Sequence, residues 1–224
     1  MTSAIIAAGG VGQRMDKDVP KQFMYINGKP LIMYVLDIFT AHDEIDEIII
    51  PCHETYIDTL TSLTSKYINK KPIRIVPAGK NRQESVYNGL MNVSVQTKII
   101  LVHDACRPLV SPGIISKTIE AAASHGAAGT AAPSDDTVVV SRDGFFIDET
   151  PPRNEIYLMQ TPQCFKYEIL LDAHEKYRDA APATDDCQLV SNAGGKVALV
   201  IGDKTNFKIT TRDDFNFFEM LIAK

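Results

Sequence analysis

Short apolar runs alternate along the chain with longer stretches whose apolar positions recur every three or four residues. Residues 4–8 are apolar throughout and end abruptly in glycine, the pattern of a buried strand. A turn at 27–30, Asn-Gly-Lys-Pro, leads into apolar positions at helical spacing over 31–39. Residues 47–50, closed by Pro51, predict a second strand, 55–67 a helix and 73–76 another strand. A helix over 82–92, a strand over 98–102, a helix from Ser111-Pro112 to about 125 and a strand-like run at 129–132 follow. Strands and helices in this alternation build crossover units, which predicts an α/β fold with a mostly parallel sheet. Such crossovers are right-handed almost without exception, and ligands bind beyond the carboxyl ends of the strands. The glycines after the first run, Ala78-Gly79-Lys80 and His103-Asp104 all fall at such ends.

The alternation breaks at 138–141. Arg142-Asp143-Gly144 is a turn signal between Val138-Val139-Val140 and Phe145-Phe146-Ile147, which predicts a β-hairpin. Its tip is polar but its strands are apolar on both faces. An arm of that kind either covers itself with a partner or lies flat on its own domain, and the partner reading is favoured. Residues 166–177 and 185–192 read as helices, 197–201 as a strand and 212–222 as a closing helix. No repeat, linker or low-complexity stretch interrupts the pattern. The expectation is one domain over 1–224, with an arm at about 138–160.

Composition narrows the function. The 224 residues carry a formal net charge of −5, which argues against a general nucleic-acid binder and leaves room for a local basic pocket. Cys52, Cys106, Cys164 and Cys187 are scattered without a C-x-x-C pair, as expected of free thiols in a reducing compartment. The opening apolar run is too short for a signal peptide or a membrane span, so a cytoplasmic protein is expected.

The chemistry concentrates at the start. Gly9, Gly10 and Gly12 form a loop able to offer consecutive N–H groups to an anion. Arg14 and Lys21 add cations beside it, and together these residues read as a cradle for a triphosphate. Asp104 closes a strand facing that cradle, where a carboxylate suits magnesium, with phosphate and water completing its shell. The alternatives for Asp104 are a helix cap or an ion pair with Arg107. His103 reads as packed or hydrogen-bonded. Ser85 falls in the first turn of the 82–92 helix, where capping competes with a binding role.

The run A-A-G-G-V-G-Q-R-M…P-K-Q-F resembles the signature of cytidylyltransferases that activate small polyol phosphates with CTP. The resemblance continues in family order through R-Q-E-S-V-Y-N-G-L, V-H-D-A-C-R-P, D-D-T, Q-T-P-Q, T-D-D and N-F-K-I-T-T. It implies a Rossmann-like fold of the nucleotide-diphospho-sugar transferase type, with an arm that makes a homodimer. It implies transfer of CMP from CTP, with Mg2+, to 2-C-methyl-D-erythritol 4-phosphate, or alternatively to D-ribitol 5-phosphate. By resemblance, Arg14, Lys21 and Lys208 are catalytic, and Ala7, Ala8, Gly9, Gly10, Gly12, Gly79, Arg82 and Ser85 bind the nucleotide. Asp104, Arg107, Thr137, Arg153 and Thr161 fall to the polyol phosphate, and Asp104 also to the metal.

Lys80 stands where methylerythritol enzymes often carry an acid, and Pro152-Arg153…Tyr157 looks more like the ribitol enzymes. R-Q-E-S-V-Y-N-G-L and Thr184-Asp185-Asp186 look more like the methylerythritol ones. A dinucleotide-dependent dehydrogenase is disfavoured, because Met15 replaces the third glycine of its fingerprint and no acid closes the second strand. A non-catalytic nucleotide sensor would need Arg14, Lys21, Asp104 or Lys208 to be lost, and all are present.

Overall fold

A computed structural model describes residues 1–10, 19–67 and 70–223. Arg14 and Gly12, both expected in the cradle, lie outside the described residues. A seven-stranded sheet is formed by β1 (Thr2–Ala7), β4 (Glu47–Cys52), β5 (Ile73–Pro77), β6 (Ile99–Asp104), β7 (Ala127–Pro133), β8 (Tyr157–Lys166) and β9 (Ala198–Ile201). Its order is β5-β4-β1-β6-β8-β7-β9. All pairings are parallel except those of β8, which runs antiparallel to both β6 and β7. A small antiparallel pair, β2 (Tyr25–Ile26) and β3 (Lys29–Pro30), flanks the turn read at 27–30, where Asn27 and Gly28 both take positive φ.

The central strands are apolar on both faces because both faces are covered. Ile48 and Ile50 face one core with α1 (Leu31–Ala41), α2 (Ile57–Thr64) and α4 (Pro112–His125). Ile49, between them, faces the other, with α3 (Arg82–Leu90), α5 (Tyr167–Lys176) and α6 (Asp186–Asn192). The closing α7 (Arg212–Ile222) packs Phe215 and Phe218 into a third cluster with Ile26, Leu31 and Cys106. No helix among the described residues is long and apolar enough to cross a membrane.

One expectation is corrected. The segment 138–147 does not form a paired hairpin. A single bridge, Val140 to Glu149, closes a loop whose tip is folded by the Asp143 carboxylate, which accepts the N–H groups of Phe145 and Phe146 at 2.8 and 2.9 Å. The eight residues between the two bridge partners form that loop instead of a ladder. Residues 157–160, where the expected arm ends, are the first residues of β8, and there Tyr157, Leu158 and Met159 pair with β7 alone and are exposed.

Candidate active site

Asp104 is the last residue of β6 and lies level with Ala7 at the end of β1. Its position is fixed by a relay of hydrogen bonds. The Asp104 N–H donates to Thr161 Oγ1 at 3.0 Å, Thr161 Oγ1 meets His103 Nδ1 at 3.0 Å, and His103 Nε2 meets the Arg107 carbonyl at 3.0 Å. That carbonyl can only accept, so Nε2 carries the proton. Burial pushes the His103 pKa down to about 4 and keeps the ring neutral. Nδ1 is therefore the acceptor and the Thr161 hydroxyl its donor. Thr161 is buried, and its hydroxyl is fully used in placing Asp104.

Three cations surround the Asp104 carboxylate. Lys208 Nζ lies 2.9 Å from it, Arg82 Nε 3.4 Å and Arg107 Nε 3.6 Å. Burial alone would raise the pKa of Asp104. Lys208, Arg82 and Arg107 outweigh it and hold the carboxyl well below the usual range. Arg107 also donates to the carbonyls of Asn206 at 2.8 Å and Met159 at 3.4 Å, which ties the segment carrying Lys208 to β8. The buried Asn206 strengthens the tie by donating to the Thr161 carbonyl at 2.9 Å.

Beside this floor the glycine loop leaves β1. Gln22 Nε2 donates to the carbonyls of Ala8 at 2.7 Å and Gly10 at 2.8 Å, holding the loop's carbonyls and so its orientation. Among the described residues, a Cβ at Gly10 would meet nothing within 4 Å. A Cβ at Gly79 would lie 2.4 Å from Glu84 Cγ and 2.7 Å from the Glu84 backbone carbon, so only glycine lets α3 start here. The cap of α3 is Asn81, whose side chain accepts the Glu84 N–H at 2.8 Å. Ser85 is thus relieved of capping. Its hydroxyl accepts the Gly79 N–H at 3.0 Å and donates to the Asn81 carbonyl at 2.7 Å, which shapes the turn between β5 and α3.

These parts line one cleft of about 450 Å³. Ala7, Ala8, Gly9, Gly10, Lys21, Gly79, Arg82, Ser85, Asp104 and Lys208, all named from the sequence, meet there. Among the described residues, Lys21, Lys80, Arg82 and Lys208 place four cations around the one lining carboxylate, Asp104, in a chain that is acidic as a whole. Thr137 and Arg153 are exposed and lie outside this set. Arg153 instead donates to the Asp135 carbonyl at 3.0 Å, at the base of the arm. Gln22, Asn81 and Thr210 also line the cleft and Asp186 pairs with Arg82, though the sequence reading gave none of them a role. Gln22, Asp186 and Thr210 carried a signal, as parts of P-K-Q-F, T-D-D and N-F-K-I-T-T.

No three ligating side chains cluster among the described residues. A lone carboxylate facing a cationic cleft still fits magnesium, which keeps waters and takes phosphate oxygens readily.

Strand ends that deliver a glycine loop, four cations and one carboxylate to a single cleft define a nucleotidyltransferase. Over residues 2–224 the chain matches the IspD family, 2-C-methyl-D-erythritol 4-phosphate cytidylyltransferase, and it belongs to that family. It is 41% identical over 223 residues to the enzyme of that name from Clostridium botulinum strain Langeland, covering 99% of this chain and 97% of the relative. It is 38% identical over 224 residues to the Clostridioides difficile enzyme, covering 99% and 94%. The crystal structure of 4-diphosphocytidyl-2C-methyl-D-erythritol synthase from Anaerococcus prevotii superposes with a TM-score of 0.88 at 33% identity, covering 100% of this chain and 98% of that one.

Proposed function

We propose that the chain transfers CMP from CTP to 2-C-methyl-D-erythritol 4-phosphate, releasing pyrophosphate, as a step in making isoprenoid precursors. The observation that carries this reading is the convergence of Gly9, Gly10, Lys21, Arg82, Asp104 and Lys208 on one cleft in a chain that matches the family end to end. An oxygen of the acceptor phosphate bonds the α-phosphorus of CTP, and the bond to the β-phosphate oxygen breaks. Both reactants are anions, so positioning and charge neutralisation lower the barrier, with no protein nucleophile. Lys208 serves the α-phosphate, while Lys21 and Arg14 serve the β- and γ-phosphates and the departing pyrophosphate. The acceptor phosphate is already ionised and needs no general base, in keeping with a buried, neutral His103. Mg2+, held by Asp104 together with phosphate oxygens, would add charge neutralisation.

The Gly79–Ser85 turn frames the base. Thr161 and Arg107 act by holding Asp104 and the Lys208 segment, on the hydrogen bonds described. Thr137 and Arg153 reach the acceptor only if two subunits combine, and exposed Phe145, Phe146 and Ile147 supply the apolar surface for a homodimer. The four buried, unbridged cysteines fit a reducing cytoplasm.

The test is pyrophosphate release with CTP and Mg2+ and a panel of 2-C-methyl-D-erythritol 4-phosphate, D-ribitol 5-phosphate and glycerol 3-phosphate. The methylerythritol compound should give the largest kcat/KM, and CTP should be preferred over UTP and ATP. Faster turnover of ribitol 5-phosphate would overturn the acceptor. Equal release from ATP would overturn the base.

A further inference from the structure

The geometry points to Asp186 as a positioning residue for this reaction: by holding Arg82 Nη1 it limits Arg82 to one long bond, through Nε, to the Asp104 carboxylate at the cleft floor. The proposal rests on Arg82 being part of the nucleotide site. Arg82 lies between two carboxylates from different elements, Asp104 at the end of β6 and Asp186 in the first turn of α6. Its Nη1 is 2.7 Å from Asp186 Oδ2, whereas only Nε approaches Asp104, at 3.4 Å. A guanidinium with one carboxylate in reach closes on it with two parallel short bonds. Here that closure is prevented, and Nη2 stays buried without a hydrogen-bond partner among the described residues.

Asp186 is itself held. It is 1% exposed, and its N–H and that of Cys187 donate to Gln163 Oε1 at 3.1 and 3.2 Å. Behind it the buried His174 places Nε2 3.5 Å from Oδ1, with no hydrogen-bond partner of its own. An acid in the first turn of a helix needs none of this to serve the helix, since exposure to solvent at the helix end suffices. A buried ion pair is also poor evidence of stabilisation, because desolvation offsets most of the attraction. The placement makes sense as aim. With Asp186 neutral, Arg82 would close on Asp104 with two short bonds in place of its one long bond to Oδ1, beside Lys208, which holds Oδ2 at 2.9 Å.

A double-mutant cycle on kcat/KM for CTP, with the CTP dissociation constant measured by calorimetry without acceptor, tests this. Asp186→Asn should lower kcat/KM by about 100-fold, the scale of a misplaced site group. Arg82→Ala should cost a similar amount, and the double variant should fall within about threefold of Arg82→Ala. The calorimetric affinities should show the same non-additivity, which a generally loosened fold would not. If Asp186→Asn does not fold, Asp186→Glu keeps the charge and moves it by one methylene. It should lose at least about fivefold, and that loss should vanish in the Arg82→Ala background. Losses that multiply fully, or an Asp186→Asn enzyme within about twofold of the parent, would assign Asp186 a structural role only and overturn the proposal. An Arg82→Ala enzyme as active as the parent would instead remove Arg82 from the nucleotide site, and the proposal with it.

Discussion

The cleft buries polar groups, and the arm exposes apolar ones. Asp104 is 7% exposed and Asp186 1%, yet each carboxylate is met by several donors or cations. On the arm, Phe145 is 82% exposed, and its nearest ring neighbour is Phe146, itself 67% exposed. Burying a charge is costly unless it is paired, so the cleft's network is the condition on which its charges stay where they are. An exposed apolar tip carries no such condition within one chain. The difference teaches that the described part of the cleft pairs its charges within a single chain, while the arm leaves apolar surface exposed.

The sharpest way to break this comparison is to remove a cleft cation. Lys21→Ala, or Arg14→Ala, should lower kcat by about 10²–10⁴, the range for losing a charge contact made in the transition state. Near-normal pyrophosphate release would remove that residue from the catalytic set. The arm should yield a different phenotype. Val139→Asp with Phe146→Asp should give monomers, by sedimentation, that bind CTP normally but use the acceptor about 10²-fold less well, as expected of a displaced contact. Mixing inactive Arg153→Ala with inactive Lys21→Ala subunits should restore part of the activity. Fully active monomers, or no rescue despite proven subunit exchange, would show that each chain is self-sufficient.

Smaller effects sharpen the cleft side. Gly79→Ala forces a Cβ against Glu84 and should destabilise by about 1–3 kcal/mol, with a matching rise in KM for CTP. A melting temperature equal to the parent's would mean that the turn relaxes freely. The smallest effect concerns acid. Burial would raise the pKa of Asp186, but Arg82 and His174 overcome it and hold the value below the ordinary one. Stability from that carboxylate is therefore present above its unfolded pKa of about 3.9 and is lost as pH falls through the lower folded value. Asp186→Asn should melt with a shallower decline below about pH 4. Superimposable acid limbs would contradict the pairing.

The sequence made the parallel half of the fold readable because its strands are uniformly apolar and its helices keep their period. β8 escaped for the opposite reason. Gln160, Thr161 and Gln163 are polar, and Pro162 sits where the ladder to β7 shifts register between Gly129 and Ala131. Each polar residue is explained by a distant loop. Gln160 donates to the Asp203 carbonyl, Thr161 places Asp104, and Gln163 accepts the N–H groups that open α6. Such partners are long-range and invisible to periodicity. The glycine loop and Lys208 were readable as motifs. Asp186 was readable only as part of T-D-D, because its partner Arg82 lies 104 positions earlier.

The place of β8 also bears on how the polypeptide comes off the ribosome. Strands β1, β4, β5 and β6 can pair among themselves once the first 104 residues have emerged, but β7 and β9 join the sheet only through β8. Synthesis runs from the amino end, so the edge of β6 waits for a partner made some fifty residues later. The Asp104 N–H waits for Thr161 in the same interval. The nascent chain therefore acquires its sheet and its catalytic floor in one late event, and a chain cut short of β8 would have the glycine loop but no fixed carboxylate opposite it.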